Sequence, residues 1–597
     1  MNRIDPITLE VLRNRFDIIA QEEYVALKKS AFSLTIKEAG DCSAAVFTRN
    51  GELISQAASL SLHFGLISSA VKLIIDAYPT RQMEEGDLFI VNDPLGGGTM
   101  HPPDIVVATP ILYGEEVVAL GAVLAHQIEF GGKSAGSMSP DVTEVFGQGM
   151  LLPPLYLFRK GKRNEDVVNI IRKNVRVPDQ VIGDIMGEVN AVNATKMSVL
   201  RTCDEFGGKV VVEAAEELLN RAEAMSRANI AAMPDGIYEF IDYADNDGVD
   251  FSKRLKLQAK VTISGSDLSV DFTGTGPQNK GAAGNLVFSA TRSAVYHAVR
   301  VCLDPSIPNN AGCWRPVKVY APEGTFLNPV LPAAIGPMNV SQRVADVVLG
   351  AMVKALPGKL PAAMNGNIGA LTFSGVDPLL PQGTYVAGDF WVGGWGARPN
   401  KDGIDVLDIA IGNCANVPAE SQELEAPYRV LQFSVRPNSG GVGQYRGGCG
   451  MIKIFELLRG SGEICHRSER HTTQPWGLYG GGPAKSWYSE IVRKSGEKEI
   501  IPAKLIFPMN EGDQLHLYSG GGGGYGDPLQ RDEEAVLEDV LDGKVSVESA
   551  RADYGVVIDS GPTTVNHETT RKLREELARK RGAINWTFDR GEELGKE

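Results

Sequence analysis

The run Asn92-Asp93-Pro94-Leu95-Gly96-Gly97-Gly98-Thr99-Met100-His101-Pro102-Pro103-Asp104 is followed, after two apolar stretches, by His126. That order restricts how the chain can fold. Ile105 to Leu112 and Val117 to Ala125 read as two strands, with Tyr113-Gly114-Glu115-Glu116 between them as a hairpin turn. Antiparallel pairing about that turn sets His126 opposite Pro103 and Asp104, so His101, Asp104 and His126 meet at the open end of one hairpin. Two imidazoles and a carboxylate form a mixed N/O donor set suited to zinc, manganese or iron, and three protein ligands leave a position for a reactive water. The pattern points to hydrolysis or another reaction at a metal-held oxygen. The competing reading is that a His-x-x-Asp pair arises by chance and each imidazole is simply hydrogen-bonded at a strand end.

The 597 residues suffice for large cores and for two to four domains. A net charge of -15 offers no basic field to nucleic acid or an anionic membrane surface. The seven cysteines are scattered without a C-x-x-C pair, unlike a disulfide framework or a thiolate zinc site, and fit a reducing cytoplasm. The opening Met1-Asn2-Arg3-Ile4-Asp5-Pro6 does not read as a signal peptide, and no stretch of about 18 uncharged apolar residues is available to span a membrane.

Asp5-Pro6 reads as a helix start, with Leu9, Leu12, Phe16, Ile19 and Ala20 at helical spacing as far as Lys28-Lys29. Residues 41–48 and 52–55 flank an Asn50-Gly51 turn and predict a hairpin with Asp41 at its entrance. Residues 59–79 read as helix with His63 near its start, 86–126 as sheet, and about 164–231 as a long helical region forming an outer layer or a subunit contact. After Met233-Pro234-Asp235-Gly236 come short alternating strands, Tyr238–Tyr243, Leu255–Ile263 and Leu268–Phe272. The expected class is a mixed, multi-layer α+β fold rich in antiparallel sheet, with helical layers. Its expected parts are an N-terminal metal-binding region (1–233), a glycine-rich β-dominated region (234–530) and a C-terminal helical tail (531–597).

Three catalytic look-alikes fail on context. Gly132-Lys133-Ser134-Ala135-Gly136 matches a nucleophile elbow, but Ser137-Met138-Ser139-Pro140 does not open the helix an elbow needs. The same Gly132-Lys133-Ser134 lacks the first glycine of a phosphate loop, since Gln127 stands there. Gly521, Gly523 and Gly526 satisfy G-x-G-x-x-G only because they lie in a glycine run, and Asp527-Pro528 interrupts the helix that should follow. ATP, if used, is then handled by a partner.

Several runs resemble the B subunit of the hydantoinase/oxoprolinase family: residues 37–44, 92–104, 125–127, 271–275, 341–348, 444–448 and 521–529, spread over about residues 5 to 558. This family includes ATP-dependent N-methylhydantoinase, 5-oxoprolinase, caprolactamase and the acetone and acetophenone carboxylases. The resemblance implies an A-type ATP-binding partner that phosphorylates an amide or enolate oxygen, with ATP-Mg on that partner. It further implies one divalent metal on this chain, held by Asp41, His101, Asp104 and His126, and a hetero-oligomer such as A2B2. In the amide-cleaving members, water activated at the metal attacks the phosphorylated carbon and opens a small cyclic amide. The alternative is a subunit of a ketone carboxylase, in which the same site serves CO₂ addition, and a third possibility is a non-catalytic scaffold that binds the A-type partner. The chain's length is closer to the hydrolytic members.

His63 is a candidate general base or a donor to the metal site, with a packed helix-start histidine as the competing role. Glu129 is a candidate to orient His126, or it faces solvent on the next strand. Asp93 fits a ligand or a turn residue before Pro94. Arg343 and Arg446 are candidate phosphate binders by bidentate contacts, against the commoner role of surface salt bridging, and His471 has the same status.

Overall fold

The computed structural model describes residues 4–336, 339–380, 383–559 and 563–597. It shows the mixed α+β class expected, built on several antiparallel sheets with helical layers.

The first sheet has seven strands: β1 (Cys42–Thr48), β2 (Leu53–Gln56), β3 (Leu88–Val91), β4 (Asp104–Tyr113), β5 (Glu116–His126), β6 (Leu155–Arg159) and β7 (Lys162–Arg163), in the order β2-β1-β5-β4-β3-β6-β7. Every neighbouring pair runs antiparallel. Side chains alternate between the faces, and both faces are apolar. Ala45, Phe47, Phe89, Val91, Val106, Leu120 and Leu124 enter one core, while Cys42, Ala44, Ile90, Ile105, Val107, Val123 and Ala125 enter another. The strands therefore read as nearly continuous hydrophobic runs, the signature of a sheet covered on both sides. Helix His63–Ala77 lies in the first core. Helices Pro6–Ser30 and Pro178–Phe206 pack on the other face. Asp5 caps the first helix by accepting from the amide of Thr8 at 2.9 Å, with Pro6 at its first position.

The expected helical region at 164–231 is three helices, Glu165–Asn174, Pro178–Phe206 and Gly208–Ala231, broken before Pro178 and at Gly207. A four-stranded sheet follows, from Gly236–Ala244, Leu255–Ser264, Asp267–Asp271 and Val317–Tyr320. Helices Phe288–Cys302 and Ser341–Ala355 pack beside it in the same large core that receives helix His63–Ala77. Two further antiparallel sheets, of four and five strands between residues 369 and 518, enclose a core containing Leu371, Phe373, Phe455, Ile464 and Leu517.

The glycine clusters form closely stacked extended segments. Gly441 donates to Gly522, Gly522 to Gly448 and Gly448 to Trp395 through their backbones. A Cβ on Gly447 would lie 1.8 Å from the carbonyl oxygen of Gly522, so only glycine fits there. This stacking, with only a 3-10 turn at Pro528–Gln530 directly after Gly526 and the next α-helix starting at Glu533, accounts for the G-x-G-x-x-G match without a nucleotide. The elbow look-alike is a short 3-10 turn at Ala135–Ser137. The C-terminal tail carries helices Glu533–Leu541, Val547–Asp553 and His567–Arg581.

Candidate metal centre

Strand register builds the site. Asp104 opens β4 and His126 closes β5, and the two are direct cross-strand partners. The amide of Gln127 donates to the carbonyl of Pro103 at 2.9 Å, as the hairpin reading requires. On the other side of β5, Cys42 of β1 pairs with Ala125, so Asp41 flanks His126, whose amide donates to the Asp41 carbonyl at 3.0 Å. His101 arrives from the loop between β3 and β4, where the amide of Asp104 donates to its carbonyl at 3.1 Å. Asn92 shapes that loop. Its Nδ2 donates to the carbonyls of Pro102 (2.6 Å) and Met150 (2.9 Å), and its Oδ1 accepts from the amide of Leu152 (2.6 Å). Thr99 Oγ1 donates back to the carbonyls of Asn92 and His101.

His101, Asp104 and His126 each place a ligand atom within 4.8 Å of the others, and all three residues are buried. His101 Nε2 stands 3.3 Å from Asp104 Oδ1, and the two imidazoles lie 4.9 Å apart between centroids. Beyond that contact, His101 Nε2, both oxygens of Asp104 and both nitrogens of His126 have no hydrogen-bond partner among the described residues. Buried polar atoms are normally paired because stranding them is costly. One nitrogen from each imidazole and the Asp104 carboxylate, converging without donors, fit a cation. Protonation agrees: burial lowers His126 to about 3. Burial pushes Asp104 up, but His101, His126 and His63 outweigh it and leave its carboxyl below the ordinary range. A neutral His126 imidazole beside an ionised carboxylate is the form that ligates a divalent ion.

Asp41 lies outside that close trio but beside it. Burial, then Asp104, then Asp408 push its carboxyl well above the usual range, a repulsion that a cation between the carboxylates would relieve. His63 is fully buried, with Nδ1 2.8 Å from Ser43 Oγ and Nε2 without a partner among the described residues. Burial lowers it to about 4, with Asp104 and His101 as the charges it senses. Ser43 Oγ lies 2.8 Å from Ser59 Oγ, and Ser59 lines a cleft of about 610 Å³ together with Gln56, Ser61 and His297. A hydrogen-bonded chain thus runs from the cleft to His63.

The other sequence candidates are engaged elsewhere. Glu129 does not face solvent and makes no bond to His126. It is fully buried, accepting from the amides of Gly131 and Arg176 and from the Arg176 guanidinium. Arg343 is buried against Asp242 (2.6 Å) and Asp346 (3.3 Å), and Arg446 against Asp405 (2.9 Å) and Asp539 (3.1 Å). Both guanidinium groups are thereby committed to internal carboxylates instead of surface pairs or an open phosphate site. His471 bonds Ser468 Oγ at 2.8 Å. Asp93 accepts from the amide of Gly96, as a turn residue does.

Two contributors were missed: Asn92, described above, and Glu188. Glu188 is fully buried and accepts from Gln127 Nε2 at 2.9 Å, with its second oxygen unpartnered among the described residues. Burial, then Asp184, raise its carboxyl well above the usual range, and Asp104 adds to the shift. The available signal was an acid on the apolar stripe of the helix, between Ile185 and Val189.

Residues 5–528 match the family described as Hydantoinase B/oxoprolinase. A protein from Pseudomonas sp. (strain NS671), named as the B subunit of a D-/L-hydantoinase, is 31% identical over 593 residues, covering 96% of this chain and 99% of that protein. The crystal structure of ATP-dependent caprolactamase from Pseudomonas jessenii superposes with a TM-score of 0.85 at 26% identity, over 96% of this chain and 100% of that one. A nucleotide-free acetone carboxylase shares the fold at a TM-score of 0.87 and 20% identity, over 97% and 83% of the two chains.

Proposed function

The chain belongs to the hydantoinase B/oxoprolinase family, and from that premise we propose that it is the metal-dependent B subunit of an ATP-dependent cyclic-amide hydrolase. An A-type partner phosphorylates the ring amide oxygen with ATP-Mg, and this chain opens the ring. The observation that carries the reading is the buried convergence of unpartnered donor atoms on His101, Asp104 and His126. Those three, with Asp41 beside them, would hold zinc, manganese or iron. When bound, the ion supplies Lewis acidity that brings a water's proton loss toward neutral pH.

The chain's own residues supply the rest. An unactivated cyclic amide is a poor electrophile, and phosphorylation turns its oxygen into a leaving group. Water adds at the phosphorylated amide carbon, the C–N bond breaks as the ring nitrogen takes up a proton, and a second water hydrolyses the resulting acyl phosphate to the carboxylate and free phosphate. His63, oriented by Ser43, keeps Nε2 free to hold the proton that the water gives up. The Ser43–Ser59 pair offers that proton a route to the cleft. Burial of the cluster excludes bulk water and strengthens each electrostatic contact.

Phosphate release tests the proposal, using the chain with its co-expressed partner, ATP, and in turn hydantoin, 5-oxoproline, caprolactam, or acetone with bicarbonate. Release that depends on a cyclic amide and yields the ring-opened product is expected. Turnover only with the ketone and bicarbonate would overturn the assignment in favour of a carboxylase.

A further inference from the structure

Seven lysine and arginine side chains are buried among the described residues, and Arg467 is the one that faces no carboxylate. Arg343 and Arg470 share Asp346, Arg446 and Arg531 share Asp539, Lys453 pairs with Asp389, and Lys504 with Glu469. Arg467 is 1% exposed at the end of strand Ser461–Arg467. Its Nε donates to Asn339 Oδ1 at 3.1 Å and its Nη1 to the Met138 carbonyl at 3.3 Å, both neutral acceptors. Its Nη2 has no partner among the described residues, and none of the residues outside the description is acidic. Burying a guanidinium without a counter-charge is costly. Burial lowers this one to about 10, which leaves it charged at neutral pH.

Other unspent donors are linked to it through Asn339. Asn339, which receives Arg467, donates its own Nδ2 to Asn367 Oδ1 at 3.3 Å, and the buried Asn367 Nδ2 has no partner among the described residues. Two residues past Asn339 begins the helix Ser341–Ala355, whose N-terminus has no side-chain cap and whose buried Ser341 Oγ has no partner among the described residues. A helix N-terminus carries positive potential and free amides that suit an anion. Gly336 lets the backbone approach the guanidinium, since a Cβ there would lie 2.4 Å from Arg467 Nη2. The segment that bonds Arg467 through Met138 starts directly after His126, and Ser137 Oγ ties it to the amide of Phe130 and the carbonyl of Gly131. The site is thus connected by chain to the metal centre.

We propose that Arg467, Asn367 Nδ2 and the N-terminus of helix Ser341–Ala355 form a binding site for a phosphoryl oxyanion. The phosphoryl class rests on the function proposed above, in which an activated phosphoryl ester enters and phosphate leaves. An unpartnered guanidinium nitrogen and a helix N-terminus without a side-chain cap match that chemistry. Arg343 and Arg446, with their terminal nitrogens already on carboxylates, do not.

The test is thermal unfolding of the full chain, without partner, titrated with inorganic phosphate against chloride at matched ionic strength. Wild type is expected to rise by several degrees with phosphate. R467M, which removes the uncompensated charge and keeps the bulk, is expected to unfold at the same or a higher temperature without phosphate and to lose the response. R467K should keep part of it. A wild type indifferent to phosphate, or an unaltered response in R467M, overturns the proposal. The titration needs no turnover, so its result stands even if the cyclic-amide assay fails. In the reconstituted complex, a turnover loss of about 100-fold in R467M identifies the phosphorylated substrate as occupant. Retained turnover with weakened inhibition by phosphate identifies the product.

Discussion

Asp104→Ala is expected to empty the site of metal and to cut turnover about 1,000-fold or more. The carboxylate is the anionic member of the close trio, and it stands within 3.3 Å of His101 Nε2. Loss of a partner that merely orients a metal ligand already costs 10- to 100-fold in affinity, and a directly ligating carboxylate costs more. With the ion goes a transition-state contribution of several kcal/mol, and about 4 kcal/mol corresponds to roughly 1,000-fold. The fold should survive. Among the described residues Asp104 makes no side-chain hydrogen bond beyond its contact with His101, and without metal its carboxylate is a buried charge whose removal costs little. Metal analysis and steady-state assay of the soluble variant check this. Unchanged metal and activity would exclude Asp104 as a ligand.

The second large effect is on stability. Asp242 Oδ2 accepts from Arg343 Nη2 at 2.6 Å and lies 3.9 Å from Arg470 Nη2, while Oδ1 accepts from Arg590 at 3.3 Å. Arg343 and Arg470 are both fully buried and otherwise share Asp346. Asp242→Ala leaves two buried guanidinium groups on one carboxylate, and breaking such a pair costs about 3–5 kcal/mol. Urea unfolding is expected to show a lower midpoint with little change in slope. A loss below about 1 kcal/mol would mean that the network is not the structural anchor described. Metal content of the folded variant should remain at the wild-type level, because Asp242 is not among the cluster's residues.

These two variants mark what could and could not be read from the chain. The hairpin that unites Asp104 and His126 was legible because its information is local: apolar runs on either side of Tyr113-Gly114-Glu115-Glu116 fix the register, and the structure returns the expected pair. The Asp5-Pro6 helix start and the Asn50-Gly51 turn were legible for the same reason. The arginines were not. Arg343 meets Asp242 across 101 positions, Arg446 meets Asp539 across 93, and Glu129 meets Arg176 across 47. No spacing rule reaches that far, so buried ion pairs looked like candidate phosphate contacts. Arg467 passed unnoticed because its distinguishing property is a missing partner, which only the packed structure reveals. The glycine run was legible as something other than a nucleotide loop, but not as stacked segments from separate parts of the chain, because each layer's neighbour, such as Gly522 over Gly447, lies far away in sequence.

The central claim is that this hairpin end holds a divalent ion. It is tested most directly by metal analysis of the purified full chain, combined with anomalous scattering at the edge of whichever metal is found. The account predicts about one ion per chain, with density within about 2.0–2.2 Å of nitrogen and oxygen ligands from His101, His126 and Asp104. A folded, active chain free of divalent metal, or an ion bound elsewhere, would contradict it.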